Sequence, residues 1–558
     1  MRLLLPTTLA LVLSTAAAAQ TVSGSYLAAR QAVIDGDHAE AATYFEQALR
    51  RDGDNLELIT NGVLARAALG QWDRALEIGA NSPPGREGRE LINIVEQVDR
   101  ISRGNYAEAS EMIGEGRAAG PLVDDLSLAW MLLGQGDMSG ASALLDEVAN
   151  AGPLADIARY HLALMRASVG DYEGADAILS GAEFGPLPAS TRSFQAHAQI
   201  LAQLGRTDDA ISMLDAATAA VPDPALTGLR AAIQADADRA YDFLVTPQEG
   251  AAEVFYTVAR GLGTDSGGIL ALVYARAAAH LREDHADAVL LAAEMLEASG
   301  QLDLAEQAYS DVAPGHPLFI AAEIGRAGVL MDMAEGDAAV AAMTALAADF
   351  GDVSVVHGTL GDIFRRLERF EEAIEAYTTA LNLVDQTQTR NWFLFYTRAI
   401  AYEREGLWDN AEVDFRRALE LNPEQPNVLN YLGYSLVEQR RNFDEALNMI
   451  ERAVAARPDS GYIVDSLGWV LFRLGRFEDA VEPMERAVAL VPTDPVINDH
   501  LGDVYWMVGR TREAEFQWIR ALSFEPDEED AERIRRKLEI GLSAVLEEEG
   551  GVGLLVEE

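Results

Sequence analysis

One alanine recurs along this chain at a nearly fixed interval. It stands at Ala41, Ala75, Ala109, Ala141, Ala175, Ala210, Ala271, Ala305, Ala339, Ala373, Ala411, Ala446, Ala480 and Ala514. Successive differences are 34, 34, 32, 34, 35, 61, 34, 34, 34, 38, 35, 34 and 34. In several copies a turn of the form Gly-x-aromatic precedes it, as in Gly70-Gln71-Trp72, Gly104-Asn105-Tyr106, Gly170-Asp171-Tyr172, Gly406-Leu407-Trp408 and Gly475-Arg476-Phe477. A period of this length means a stack of small identical units, none of which buries its apolar face alone. Hydrophobic residues make up 49% of the chain and aromatics only 7%, with Ala and Leu dominant, so the units should be helical. The 61-residue step breaks the series. It leaves room for a shortened helical pair around Leu226 to Leu244 and a Pro/Gly-marked joint at Thr246-Pro247-Gln248-Glu249-Gly250, where a soft boundary is expected.

The later copies carry more than the alanine. From Leu467-Gly468 the chain runs to Leu471, Ala480, Met484, Ala487 and Pro492, and from Leu501-Gly502 to Tyr505, Ala514, Trp518, Ala521 and Pro526. The copy at Leu432-Gly433 has an extra residue in its turn, Arg440-Arg441-Asn442, before Ala446, Ile450, Ala453 and Pro458. This pattern resembles the tetratricopeptide repeat (TPR), strongly after about residue 350 and weakly before about 240; Gly79 and Ala275 stand where a large packing residue is usual. The resemblance implies an all-α helix-turn-helix solenoid, a right-handed superhelix of about 14 repeats with one degenerate interruption. Gly433, Ala446, Gly468, Ala480, Gly502 and Ala514 are the expected close-packing positions, the large residue four after each alanine filling the space between the two helices. Proline ends the second helix at Pro423, Pro458, Pro492 and Pro526.

The expected organisation is a signal peptide over 1–19, divergent repeats over 20–245, a TPR array over 246–526, a capping helix over 527–546 and a flexible acidic tail over 547–558. The signal peptide rests on Arg2, an apolar run from Leu3 to Leu13 and small residues Ala17-Ala18-Ala19 before Gln20. It predicts export to the periplasm of a Gram-negative bacterium; if uncleaved, a cytoplasmic or inner-membrane-tethered adaptor is the alternative. With no Cys, disulfides and thiol chemistry are excluded. The net charge of −47 argues against nucleic acid and anionic membrane surfaces as partners.

No catalytic, cofactor-binding or metal constellation is evident. His38, His161, His197, His280, His285, His316, His357 and His500 contain no HExxH and no paired ligand spacing. Gly261 to Gly268 reads as an interhelix turn, because no P-loop Lys follows. The resemblance to TPR proteins implies a peptide- or protein-binding groove on the first helices of the late repeats, at Phe393, Tyr396, Asn427, Asn430, Tyr434, Tyr462, Asp465, Trp469, Phe472, Asp499, Asp503 and Trp506. Aromatics there offer contact area with little rotamer entropy to lose. Asp465, Asp499 and Asp503 point to a basic or neutral partner. The chain also resembles bacterial envelope TPR proteins concerned with outer-membrane, lipoprotein or polysaccharide assembly. The expected function is therefore a non-enzymatic scaffold or adaptor, or else an accessory subunit of an envelope secretion or assembly machine.

Overall fold

A computed structural model describes residues 22–549, apart from 83, 85–86, 121–122, 151–154, 220–222, 237–238 and 264–267. The signal peptide at 1–19 and most of the acidic tail, 550–558, lie outside the described residues. Among the described residues every regular element is helical. The chain forms two compact units that divide between Ala342 and Met343, inside helix Gly336–Asp349. The joint at 246–250 falls within the first unit.

The alanine register sets the packing throughout. All fourteen register alanines lie on the second helix of a pair, and each is 0% exposed. In the late repeats a glycine on the first helix faces the large residue four after the alanine. A β-carbon at Gly433 would sit 2.8 Å from Ile450 Cγ1, at Gly468 2.6 Å from Met484 Cγ, and at Gly502 2.5 Å from Trp518 Cδ1. Ile450, Met484 and Trp518 are all fully buried, so they have little room to yield. Gly502→Ala should therefore cost about 1–3 kcal/mol by overpacking, read as a lowered thermal midpoint.

Turns between paired helices require one left-handed residue. At Gly475 φ is +72°; its N–H donates to the Phe472 carbonyl at 2.9 Å and the Arg476 N–H to that of Leu471 at 2.9 Å, which satisfies the last carbonyls of the helix. Glu368, two residues before Phe370, takes the same place between helices Ser354–Arg366 and Phe370–Asn382 with φ +58°. Its β-carbon is strained where glycine is not. Glu368→Gly should raise stability by about 1 kcal/mol, measured by denaturant unfolding.

In the first unit the interruption is built differently from the shortened pair expected at 226–244. A single helix, Pro224–Ala235, is followed by irregular chain over 239–246. Helices Pro247–Leu262 and Gly268–Leu281 then pair with each other, joined across the expected turn, of which 264–267 lie outside the described residues. Both also pack on the first helices of earlier repeats. The first of the two meets Asp124–Gly134 and Ala155–Ser168, while the second meets Leu56–Ala68 and Glu90–Ser102. The chain thus fills with its own helices the face that a solenoid ordinarily presents to ligands. Double-sided packing buries 250–256 throughout, Glu253 included, as it does the apolar run 271–275.

In the second unit, five helix pairs run from Ser354 to Leu522 and end in a cap. The cap is two helices, Glu528–Ile540 and Leu542–Glu548, where one was expected. Gly541 breaks it with φ +83°, and a β-carbon there would clash with the edge of the Trp506 ring.

Candidate protein-interaction groove

The first helices of the second unit are Ser354–Arg366, Trp392–Arg404, Pro426–Glu438, Gly461–Arg473 and Pro495–Met507. Their second residues form a register row: Val355, Phe393, Asn427, Tyr462 and Val496. All five are exposed, the apolar four at 52%, 45%, 60% and 44% respectively. Large apolar groups left in water at one position of successive repeats are a mark of an interaction surface. Phe393, Asn427 and Tyr462 were expected here from sequence; Val355 and Val496 complete the row, and their signal was the repeat register itself.

Tyr396, Asn430, Tyr434 and Trp469 are half-buried behind this row. Tyr396 lies in an aromatic cluster with Trp392, Phe415 and Tyr431, at centroid distances of 6.0, 6.1 and 6.2 Å. Trp469 stacks on His500 at 3.9 Å and donates from Nε1 to Glu438 at 3.3 Å. Burial raises the Tyr434 phenol above its ordinary pKa, so it stays a neutral hydroxyl. The Asn430 side-chain oxygen is shielded from solvent and accepts no hydrogen bond among the described residues. A buried acceptor without a donor is costly.

Five of the twelve expected groove residues are not available as open groove. Phe472, 1% exposed, belongs to the core between Trp469 and Phe477. Asp465 accepts from His500 at 3.1 Å; burial alone would lower the pKa of this histidine, but the Asp465 carboxylate more than offsets it and leaves it raised. Asp499 and Asp503 hold the ammonium of Lys537, the chain's one lysine, at 2.7 Å each, and Asp503 also accepts from Trp518 Nε1 at 2.9 Å. Trp506 lies beneath Gly541 and donates to Ser543 Oγ at 3.0 Å. The cap therefore covers the last repeat's first helix from Asp499 to Trp506, leaving Val496 at its start exposed. Because these three aspartates already have internal cations, they no longer argue for a basic partner.

The first unit holds its filling helix by a buried polar cluster. Arg192 clamps Glu253 through Nε at 2.8 Å and Nη2 at 2.5 Å, and reaches Asp287 through Nη1 at 2.7 Å. Tyr160 donates to Glu253 at 3.0 Å, and His285 lies 3.3 Å from it. Burial would push the Glu253 pKa up, but the Arg192 charge outweighs that and holds it well below the usual carboxylate range. His161, which accepts from Trp130 Nε1 at 3.2 Å, is pushed down to about 4 by burial and stays neutral. Each of these groups has a structural partner, and none is paired with a nucleophile. Among the described residues no three His, Asp or Glu side chains gather as a metal site would require.

The repeat pattern, the buried alanine register and the glycine contacts converge with the sequence comparisons. Two tetratricopeptide-repeat profiles match, one over 396–442 and 432–495 and the other over 357–390. Residues 357–390 and 396–495 are tetratricopeptide repeats. A TPR repeat-containing protein of Pseudomonas aeruginosa is 25% identical over 169 residues, a match spanning 30% of this chain and 28% of that protein. Among solved structures, a tetratricopeptide repeat protein from Parabacteroides merdae is 16% identical, covers 46% of this chain and 98% of its own, and has a TM-score of 0.38. The Cut9–Hcn1 hetero-tetramer of APC/C is 14% identical, covers 93% and 96%, and has a TM-score of 0.40. The TPR fold suggests a protein–protein interaction scaffold, and proteins of this family are generally non-catalytic.

Proposed function

We propose that this TPR protein is a non-enzymatic scaffold of the Gram-negative cell envelope that holds a peptide or protein segment on the first-helix face of residues 354–507. One observation carries the choice of face: the corresponding face of the first unit is filled by helices 247–281, while the second unit leaves Val355, Phe393, Tyr462 and Val496 in solvent. Export to the periplasm is part of the reading and rests on the N-terminal sequence. A mature protein recovered from the periplasm beginning at Gln20 supports it, and a full-length protein in the cytoplasm would not.

The face is tested by Phe393→Ser with Tyr462→Ser. Both side chains are exposed, so the helical circular dichroism and thermal midpoint should be unchanged. Partner recovery by crosslinking and co-purification from the native periplasm should fall about tenfold or more, as expected for aromatic anchors. Undiminished recovery would move the site elsewhere.

A further inference from the structure

We infer that the first unit carries a small-molecule site, separate from the groove of 354–507, and that its ligand is a neutral, polyhydroxylated ring such as a single sugar residue.

The site is a cavity of about 280 Å³ between helices Thr191–Gln203 and Pro224–Ala235, the irregular chain over 239–246, the start of helix Ala286–Ala298 and the turn at His316. Ligand pockets usually hold about 300–1,000 Å³, so this one suits a single ring rather than a chain. Arg192 and His285 lie buried at its base, while Asp284, Asp242 and Arg239 are exposed at its mouth.

One wall is apolar. Helix Pro224–Ala235 brings Ala225, Gly228 and Ala232 to the cavity, spaced three and four residues apart and so on one face. A β-carbon at Gly228 would meet nothing within 4 Å, so the space in front of this wall is open. Side chains this small leave a flat surface against which the C–H face of a ring can lie.

The remaining wall is charged but balanced. Arg192 Nη1 donates to Asp287 at 2.7 Å, Arg282 Nε donates to Asp284 at 2.8 Å, and Arg239 donates to Asp242. Each arginine thus has its own aspartate, so an ionic ligand of either sign would meet like charges or have to separate a pair. The pairs still have hydrogen bonds to give. A guanidinium carries five N–H groups and a carboxylate about four lone-pair sites. Arg282 spends Nε on Asp284 and Nη1 on the Phe243 carbonyl at 2.8 Å, and its Nη2 is unbonded among the described residues. His316 accepts from the Leu318 N–H at Nδ1, 3.1 Å away, and burial lowers its pKa; the neutral ring therefore carries its proton on Nε2 and can donate. A hydroxyl both donates and accepts, so neighbouring hydroxyls of a sugar ring can bond to both members of an Arg–Asp pair without parting them. A carboxylate, a phosphate or an ammonium group could use only one member.

The test is a saturation-transfer NMR titration of the intact chain with glucose, galactose, mannose and N-acetylglucosamine, alongside glutamate and alanyl-alanine as ionic and zwitterionic probes. At least one of the sugars should bind, more tightly than either control and with less than about a twofold change in Kd between low and high salt. Gly228→Leu places a side chain in front of the apolar wall from an exposed helix position, so the helical circular dichroism and thermal midpoint should not fall, while the Kd of that sugar should rise about tenfold or more. Phe393→Ser with Tyr462→Ser should leave sugar binding unchanged, which separates this site from the second-unit groove. Failure of all of the sugars to bind, tighter binding of glutamate or the dipeptide, or sugar binding that Gly228→Leu does not weaken would each overturn the inference.

Discussion

Arg192→Ala is expected to destabilise the first unit by about 3–5 kcal/mol, seen as an early transition in denaturant unfolding. The arginine is the main cation on Glu253, whose side chain is 1% exposed, and its removal leaves a buried carboxylate with only Tyr160 and His285 beside it. The loss has three parts acting together: the bidentate pair to Glu253, the bond to Asp287, and stacking over Phe243 at 4.6 Å. The double variant Arg192→Met/Glu253→Leu should lose much less than Arg192→Ala, because it removes the charge as well as its partner. A full-sized loss in the double variant would mean that the cluster contributes more than mutual neutralisation. The functional consequence of Arg192→Ala is specific: helices 247–281 should exchange amide hydrogens faster, exposing the first-unit face that they fill.

Lys537→Met should loosen the cap of the second unit by about 3 kcal/mol, because Asp503 would remain buried with only the Arg533 guanidinium, 3.8 Å away, and Trp518 Nε1 to offset its charge. This effect depends on pH in a defined direction. In the intact protein, burial and then the charge of Asp503 push Asp499 up to about 6, against the pull of Lys537. A carboxyl whose pKa is raised by folding contributes stability that is present below its unfolded value near 4 and lost as pH rises through about 6. Without the lysine Asp499 holds its proton more readily, so the deficit of the variant should shrink when unfolding midpoints are compared at pH 7 and then pH 5. A deficit that grew on acidification would mean that Lys537 does not sit between ionised carboxylates.

The features legible in the sequence were local and periodic. The alanine interval placed fourteen second helices, and Gly433, Gly468 and Gly502 face Ile450, Met484 and Trp518 as their spacing implied. The Gly-x-aromatic turns were legible because a left-handed residue in the hairpin usually leaves a glycine behind, with Ala334, Glu368 and Arg440 as exceptions.

What stayed hidden is long-range. Arg192 and Glu253 are 61 residues apart, and no period connects them. Their meeting depends on helices 247–281 turning back onto earlier repeats. A signal for that return was present in the unbroken apolar run at 271–275, which lacks the polar stripe of an outer helix. The last-repeat groove residues failed for a related reason. Asp499, Asp503 and Trp506 occupy ligand-facing positions, and the following helices cover them; a lone lysine in an otherwise arginine-based chain was the available hint.

The central claim is that the open first-helix face of the second unit, and not its outer surface, meets the partner. Site-specific photocrosslinking in the source bacterium tests it directly, with p-benzoylphenylalanine placed singly at Phe393, Tyr462, Val413 and Phe516. All four positions are exposed, at 45%, 60%, 67% and 71%, but the first two lie on first helices and the last two on second helices. Light-dependent adducts with a common partner at Phe393 and Tyr462, and none at Val413 and Phe516, are the predicted result. Adducts confined to Val413 and Phe516 would contradict it.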